Sequence, residues 1–332
     1  MAVDLGSSNT TIWVRGRGVA LAEPSLLAVQ HPEGRTVAIG ADAKQMLGRA
    51  PARIQMVRPV RGGVIADLEQ CERMLRYFVQ RVHQRRWAQP KMVVCVPTGT
   101  TGVEQRAVTE AAESAGARRP VQLIEEPVAA ALGVGLPVNA PTGSMVVVCG
   151  GGRTEVAVIA LGGIVAHTSV PQGGDALDEA VMAYARKEYS LALGERTAEE
   201  IKVLMGTAYP PEAEFEAEIS GRDLVTGLPR TVVASTAEIR EAIEEPVAAV
   251  VDAVKATLDV TPPDLAADIM ATGIALAGGG ALLHGLDQRL ADETGMPITI
   301  TGNPLQSVVR GAGRCLDEPE ASRRLFVRGT AA

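Results

Sequence analysis

The sequence predicts an α/β protein built from two related domains, and three observations carry that prediction. Strand-like and helix-like patterns are mixed along the whole chain, a glycine-rich hairpin opens each half, and the two hairpins align residue for residue. The 332 residues are enough for two domains that each bury a core of their own.

Ala2 to Val14 reads as strand, glycine turn and strand, the second arm carrying the β-branched and aromatic run Thr11-Ile12-Trp13-Val14. From Leu68 to Arg85 the apolar residues Cys71, Met74, Leu75, Phe78, Val79 and Val82 recur at helical spacing, with Asp67 placed as an N-cap. Met92 to Val96 is a short, wholly apolar strand of the kind found inside a covered sheet, and Pro97 and Gly99 end it. A helix over Val103 to Ala115 closes at Gly116. Val121 to Ile124 is another buried strand, feeding a helix whose first turn holds Glu126 and Pro127.

The Pro/Gly/Asn stretch from Gly135 to Gly143 marks the boundary between halves. Ser144 to Cys149 and Glu155 to Leu161 then read as strands around a turn at Gly150-Gly151-Gly152, with another strand after Gly162-Gly163. Leu177 to Tyr184 and Ala198 to Met205 are helical in pattern. Alternation at Phe215, Ala217 and Ile219, then the turn Gly227-Leu228-Pro229 and Thr231 to Ala234, predicts a small sheet. Ser235 and Glu238 fit a capping box that opens one long helix toward Val254. Ile274 to Ala277 is the last strand, running through Gly278-Gly279-Gly280 into a helix with Leu283, Leu286 and Leu290.

The internal repeat is the most informative feature. When Val3-Asp4-Leu5-Gly6-Ser7-Ser8-Asn9-Thr10 is laid on Val147 to Thr154, Gly6 meets Gly150, Thr10 meets Thr154, and Ser7 and Ser8 meet Gly151 and Gly152. The strands Ile12-Trp13-Val14 and Val156-Ala157-Val158 continue the register, and a second glycine turn follows each. Small residues let successive backbone N–H groups approach an anion, and Ser and Thr hydroxyls add donors. Two such hairpins facing each other can grip a chain of phosphates. Asp4, at the end of the first strand, can hold Mg²⁺ through its waters.

Composition narrows the function. The chain is 46% hydrophobic and only 3% aromatic, so its core must be mostly Val, Leu, Ile and Ala. A net charge of -7 offers no basic field and argues against a nucleic-acid partner. Cys71, Cys95, Cys149 and Cys315 are far apart, form no CxxC and have no histidine at ligand spacing, so they read as buried thiols of a reducing compartment. No signal peptide is expected, since Met1 leads almost directly into a strand, and no apolar run reaches the length of a membrane span. No Walker-type GxxxxGK[ST] is present.

Asp4-Leu5-Gly6-Ser7-Ser8-Asn9-Thr10 resembles the first phosphate motif of actin-like and sugar-kinase-like ATPases, Gly150 to Val158 the second, and Leu276 to Leu283 the adenosine motif. Val94-Cys95-Val96-Pro97-Thr98-Gly99, Leu123 to Ala131, Gly194 to Lys202, Gly221 to Pro229, Pro304-Leu305 and Arg310 to Gly313 resemble the bacterial MreB family over essentially the whole chain. That resemblance implies an actin-like fold with a nucleotide cleft between domain I, residues 1–140, and domain II, residues 141–332. It further implies small subdomains at about 31–60 and 187–240, and a C-terminal segment, about 314–332, packed back on domain I.

The resemblance also implies roles. Asp4, Gly6, Ser7, Ser8, Asn9 and Thr10 would form the first phosphate loop, and Gly150, Gly151, Gly152, Arg153 and Thr154 the second. Glu126 matches the position that polarises attacking water, Glu199 and Lys202 would contact adenosine, and Gly278, Gly279, Gly280 and Ala281 would pass under the base and ribose. Taken singly, Glu126 reads equally as a first-turn acid, Lys202 reads rather as a solvated charge, and strand-to-helix packing is the lesser alternative for the triplet at 278. The expected ligands are ATP or ADP with weakened Mg²⁺. The expected partners are copies of itself in a filament, cell-wall synthesis proteins and membrane-bound shape proteins, at the cytoplasmic face of the plasma membrane. Two other functions on this fold, a soluble phosphotransferase and a stand-alone chaperone-like nucleotide domain, would lack the filament.

Two departures from the family pattern bear on activity. The second phosphate motif ordinarily opens with an aspartate, and Val148 stands there, opposite Asp4 in the internal alignment. Arg153 replaces a small residue near the terminal phosphate, which suggests positive charge delivered directly and slow hydrolysis. The chain also begins at its first strand without the amphipathic helix of some relatives, leaving Trp87 and Arg86, near Arg81, Arg85 and Lys91, as the expected membrane contact.

Overall fold

The computed structural model describes residues 1–83 and 89–327. The Arg86 and Trp87 tip lies outside the described residues. In the first lobe β1 (Ala2–Leu5), β2 (Asn9–Val14) and β3 (Gly18–Pro24) run antiparallel around tight turns. An insert follows, in which β4 (Leu27–Gln30), β5 (Arg35–Ile39) and β6 (Ile54–Val57) form a sheet of order β5-β4-β6 beside α1 (Ala41–Met46). The short hairpin β7 (Val60–Arg61) and β8 (Val64–Ile65) returns the chain to the lobe.

Helix α2 (Leu68–Val82) buries the six residues its periodicity singled out, and the Asp67 carboxylate accepts the Gln70 N–H at 3.1 Å. It ends at Val82, three residues before the predicted Arg85. β9 (Lys91–Val96), α3 (Gly102–Ser114), β10 (Arg118–Glu125) and α4 (Glu126–Val134) complete the lobe, whose sheet has the order β10-β9-β1-β2-β3.

The second lobe repeats this plan. β11 (Ser144–Cys149), β12 (Thr154–Ala160) and β13 (Gly163–Val170) form the hairpin arms, and α5 (Gly174–Tyr189) follows. The insert contains β14 (Leu191–Ala192), α6 (Glu195–Met205), β15 (Glu216–Asp223) and β16 (Pro229–Ser235), with sheet order β14-β15-β16. Then come α7 (Thr236–Ala242), α8 (Glu244–Asp259), α9 (Pro263–Thr272), β17 (Ile274–Ala277), α10 (Leu286–Thr294), β18 (Ile298–Ile300), α11 (Ser307–Asp317) and α12 (Pro319–Ser322). The sheet order β13-β12-β11-β17-β18 superposes on β3-β2-β1-β9-β10 strand for strand. In both, the central strand pairs antiparallel with its hairpin partner and parallel with the strand on its other side. The duplication read from two glycine turns therefore extends to all ten strands of the two main sheets.

Three elements differ from the sequence reading. The helix opened by the Ser235–Glu238 capping box breaks at Ile243, because Pro246 has no N–H for the Ala242 carbonyl and its ring crowds that group. The glycine triplet leads into one 3₁₀ turn, Gly279–Leu282, and α10 starts only after Gly285, which sits at φ 72°. Ile274–Ala277 is not the last strand: β18, three half-exposed residues at the sheet edge, lies beyond it.

A mixed core joins the lobes. Ala2, Val93 and Ile124 of the first sheet and Val146, Val148 and Ala157 of the second pack on α4 and α11. The two helices cross at glycine: a Cβ on Gly311 would overlap the Ala129 carbonyl oxygen, and one on Gly133 the Ser307 carbonyl oxygen. Past α11 the chain returns to the first lobe, where the Val327 N–H donates to the Leu123 carbonyl at 2.9 Å.

Candidate functional site

The two hairpin loops meet across the cleft, and the same hydrogen bond closes each. Gly6 N–H donates to the Asn9 carbonyl at 3.1 Å, and Gly150 N–H to the Arg153 carbonyl at 2.8 Å. Glycine is required on the second-loop side of the seam. A Cβ on Gly152 would lie 2.8 Å from the Gly62 nitrogen and from Ser7 Oγ, and one on Gly151 would overlap Ser8 Oγ. Ser7 Oγ accepts the Gly63 N–H at 2.9 Å, so the β7–β8 turn is drawn to the seam as well. The start of α5 fixes the second loop, with Gly174 N–H on the Gly150 carbonyl at 3.0 Å and Asp175 N–H on that of Gly151 at 2.8 Å.

These loops floor a cavity of about 770 Å³. Asp4, Gly6, Ser7, Ser8 and Asn9 line it from the first loop; Gly150, Gly151, Gly152 and Arg153 line it from the second. Glu126 enters at the start of α4, Glu199 and Lys202 from α6, and Gly278, Gly279 and Gly280 after β17. Thr10, Thr154 and Ala281 lie behind the wall, fully buried. Thr10 Oγ1 bonds Ser25 Oγ at 2.9 Å and Ser25 donates to the Gly6 carbonyl, while Thr154 donates to the Gln172 carbonyl at 2.7 Å. The paired threonines thus brace their loops from the rear.

The two α6 residues already have partners. Lys202 Nζ bonds the Gly174 carbonyl at 3.0 Å and Asp178 at 2.8 Å, which ties α6 to the second loop. Glu199 pairs with Lys44 of α1 at 2.8 Å, and Glu195 with Arg58 at 3.0 Å, so the two inserts touch over the cavity.

Asp4, Glu126 and Arg153 line the floor, and Glu155 lies beside Arg153 without lining it. Burial pushes Asp4 up to about 7. Burial, then Glu155 and Asp4, hold Glu126 well above the ordinary carboxylate range, with Arg153 opposing. Glu155 is 1% exposed and is also pushed up to about 7 by burial. Sequence reasoning did not single it out; the signal was an acid inside the otherwise uncharged strand Thr154–Ala160. Thr207 and His284, which also line the cavity, were missed because nothing local marks them.

The acids impose a pH dependence. Between about pH 4 and 7 the folded protein keeps a proton on Asp4 that the unfolded chain has released. Raising the pH through that window therefore costs stability, and the full penalty is present by pH 8. Asp4→Asn should accordingly be more stable than wild type at pH 8, by on the order of 3 kcal/mol, with the gap closing toward pH 5. Thermal melts of both proteins across that range check this; a gap that stays constant or reverses contradicts the burial argument.

The residues fit a nucleotide. Arg153 Nε is buried without an acceptor, the Asp4 carboxylate makes no hydrogen bond among the described residues, and the small residues of both loops line the cavity, where an anion can approach the backbone. No group of three or more His, Cys, Asp or Glu among the described residues is arranged to hold a metal.

Known proteins resemble this chain over nearly its whole length. The family described as MreB/Mbl protein matches residues 1–324. The cell shape-determining protein MreB of Escherichia coli K12 is 48% identical over 323 residues, covering 96% of this chain and 93% of that protein. Mbl of Bacillus subtilis 168 is 44% identical over 318 residues, covering 96% and 95%. MreB5 of Spiroplasma citri bound to AMPPNP is 34% identical, covers 97% of both chains, and superposes with a TM-score of 0.92. No helix among the described residues is long and apolar enough to cross a membrane.

Proposed function

The chain belongs to the MreB/Mbl family, and we propose on that premise that it is an ATP-binding protein that assembles into filaments. In this reading it serves as a cytoskeletal scaffold for cell shape or wall synthesis at the cytoplasmic face of the membrane. The observation that carries the reading is the pair of matched loops meeting at glycine, with the unpaired Asp4 carboxylate and the half-satisfied Arg153 guanidinium beside them. The phosphates lie between the loops, and the base lies over Gly278–Gly280. Support for the nucleotide comes from MreB5, whose crystal structures are bound to ADP and to AMPPNP.

Hydrolysis is weak in this reading. Val148 lines the cavity where its counterpart in the first loop is Asp4, and a valine holds no metal-bound water. Bound Mg²⁺ would neutralise phosphate charge, and only Asp4 is placed to hold it. Glu126 would polarise water in this reading, and burial, then Glu155 and Asp4, raise its carboxyl well above the ordinary range, away from that of a free carboxylate base. Arg153 takes over part of the charge neutralisation directly.

Titration calorimetry and sedimentation test the proposal together. One ATP or ADP should bind per chain, and the protein should pellet with ATP or AMPPNP. A well-folded protein that binds neither nucleotide overturns the site; one that binds but never pellets overturns the filament.

A further inference from the structure

We propose that Glu155 is the positioning residue of the second phosphate loop, holding Arg153 in reserve so that Glu155 and the terminal phosphate compete for one guanidinium, and that this competition sets the preference for ATP over ADP. The inference rests on the nucleotide reading above and goes beyond it.

The placement follows from the register. Glu155 lies directly opposite Val148 in the antiparallel β11–β12 pair, so both side chains share the face that floors the cleft. The acid missing from β11 therefore has a counterpart one strand away. Glu155 does not line the cavity itself; Arg153 does, two residues earlier on the loop. Both Glu155 carboxylate oxygens accept the Thr98 N–H of the opposite lobe, at 3.0 and 3.3 Å. The carboxylate is thus anchored from below and presents one oxygen to the arginine.

The arginine is held loosely. Its Nη1 stands 3.6 Å from Glu155 Oε1, longer than the about 2.7–2.9 Å of a strong charge-assisted bond. Its Nε is buried with no acceptor, and its stem lies against the Gly62–Gly63 turn of the first lobe. A guanidinium has five N–H donors, so this one has several to offer an anion in the cavity. A terminal phosphate reaching the second loop meets a cation that a neighbouring carboxylate only partly neutralises. ADP lacks that phosphate and leaves the pair intact.

A purely structural Glu155, present only to receive the Thr98 N–H, would leave nucleotide preference alone. Glu155→Gln separates the two roles, because the amide oxygen still accepts from Thr98 while the charge is gone. Calorimetry with ATP and ADP should give a ratio of affinities raised about tenfold over wild type, the worth of one charge-assisted hydrogen bond. The effect must pass through the arginine, so it should vanish when Arg153→Gln is added. Arg153→Gln alone should lower the ratio by a similar factor, and it serves as the readout if Glu155→Gln does not fold. An unchanged ratio in Glu155→Gln, or an equal rise with Arg153 absent, overturns the proposal while leaving nucleotide binding in place. A folded wild type that binds neither nucleotide overturns both.

Discussion

Replacing Gly311 with alanine is expected to destabilise the protein by about 3 kcal/mol or more. The new carbon would overlap the Ala129 carbonyl oxygen and crowd the Gly133 nitrogen, and both are helix backbone that no rotamer change can clear. Relief requires α11 to lift off α4, which opens the core shared by the two lobes. The melting temperature should fall by roughly 6–12 °C for a lobe of this size. Gly102→Ala, with nothing near its added carbon at the start of α3, should be neutral and is the control. If Gly311→Ala melts with the wild type, the lobes are not held by this crossing.

Val148→Asp is expected to raise phosphate release from ATP about ten- to a hundred-fold in the presence of Mg²⁺. That is the worth of one charge-assisted hydrogen bond, roughly 1.5–3 kcal/mol, regained in the transition state. The aspartate would stand opposite Glu155 on the floor and restore the partner that the duplicated fold gives Asp4. The same change adds a fourth acid to a cluster that already holds Asp4 and Glu126 on the floor and Glu155 beside it. Without nucleotide the variant should therefore be less stable than wild type, and Mg²⁺ with nucleotide should restore it. A wild type that already turns over as fast as Val148→Asp removes the case for weakened hydrolysis.

The parts of this protein governed by local chemistry were legible in the sequence. The α2 stripe and its Asp67 cap, the β11 span and the Gly6/Gly150 register all follow from periodicity and turn residues, and all appear in the fold. What escaped depends on distance along the chain. β4 is buried at Leu27, Ala28 and Val29 and so shows no alternation, while the short β5 and β6 have no buried residue to set a period. β18 is too short to show a period. Pro246 was visible, yet the capping box before it suggested one helix where the ring forces two. In the site, the glycine loops, Asp4 and Glu126 came from the motifs. Glu155 did not, because its meaning lies in a bond to Thr98, 57 residues away in the other lobe.

The α4–α11 crossing carries one practical consequence. Trp13, one of only two tryptophans in the chain, rests its ring against Gly313 beside that contact. The protein thus has an indole where α11 lies on the first sheet, so lifting α11 would expose the ring to solvent. With Trp87 replaced by phenylalanine, its emission becomes an optical gauge of whether α11 stays seated, readable in dilute solution without a label.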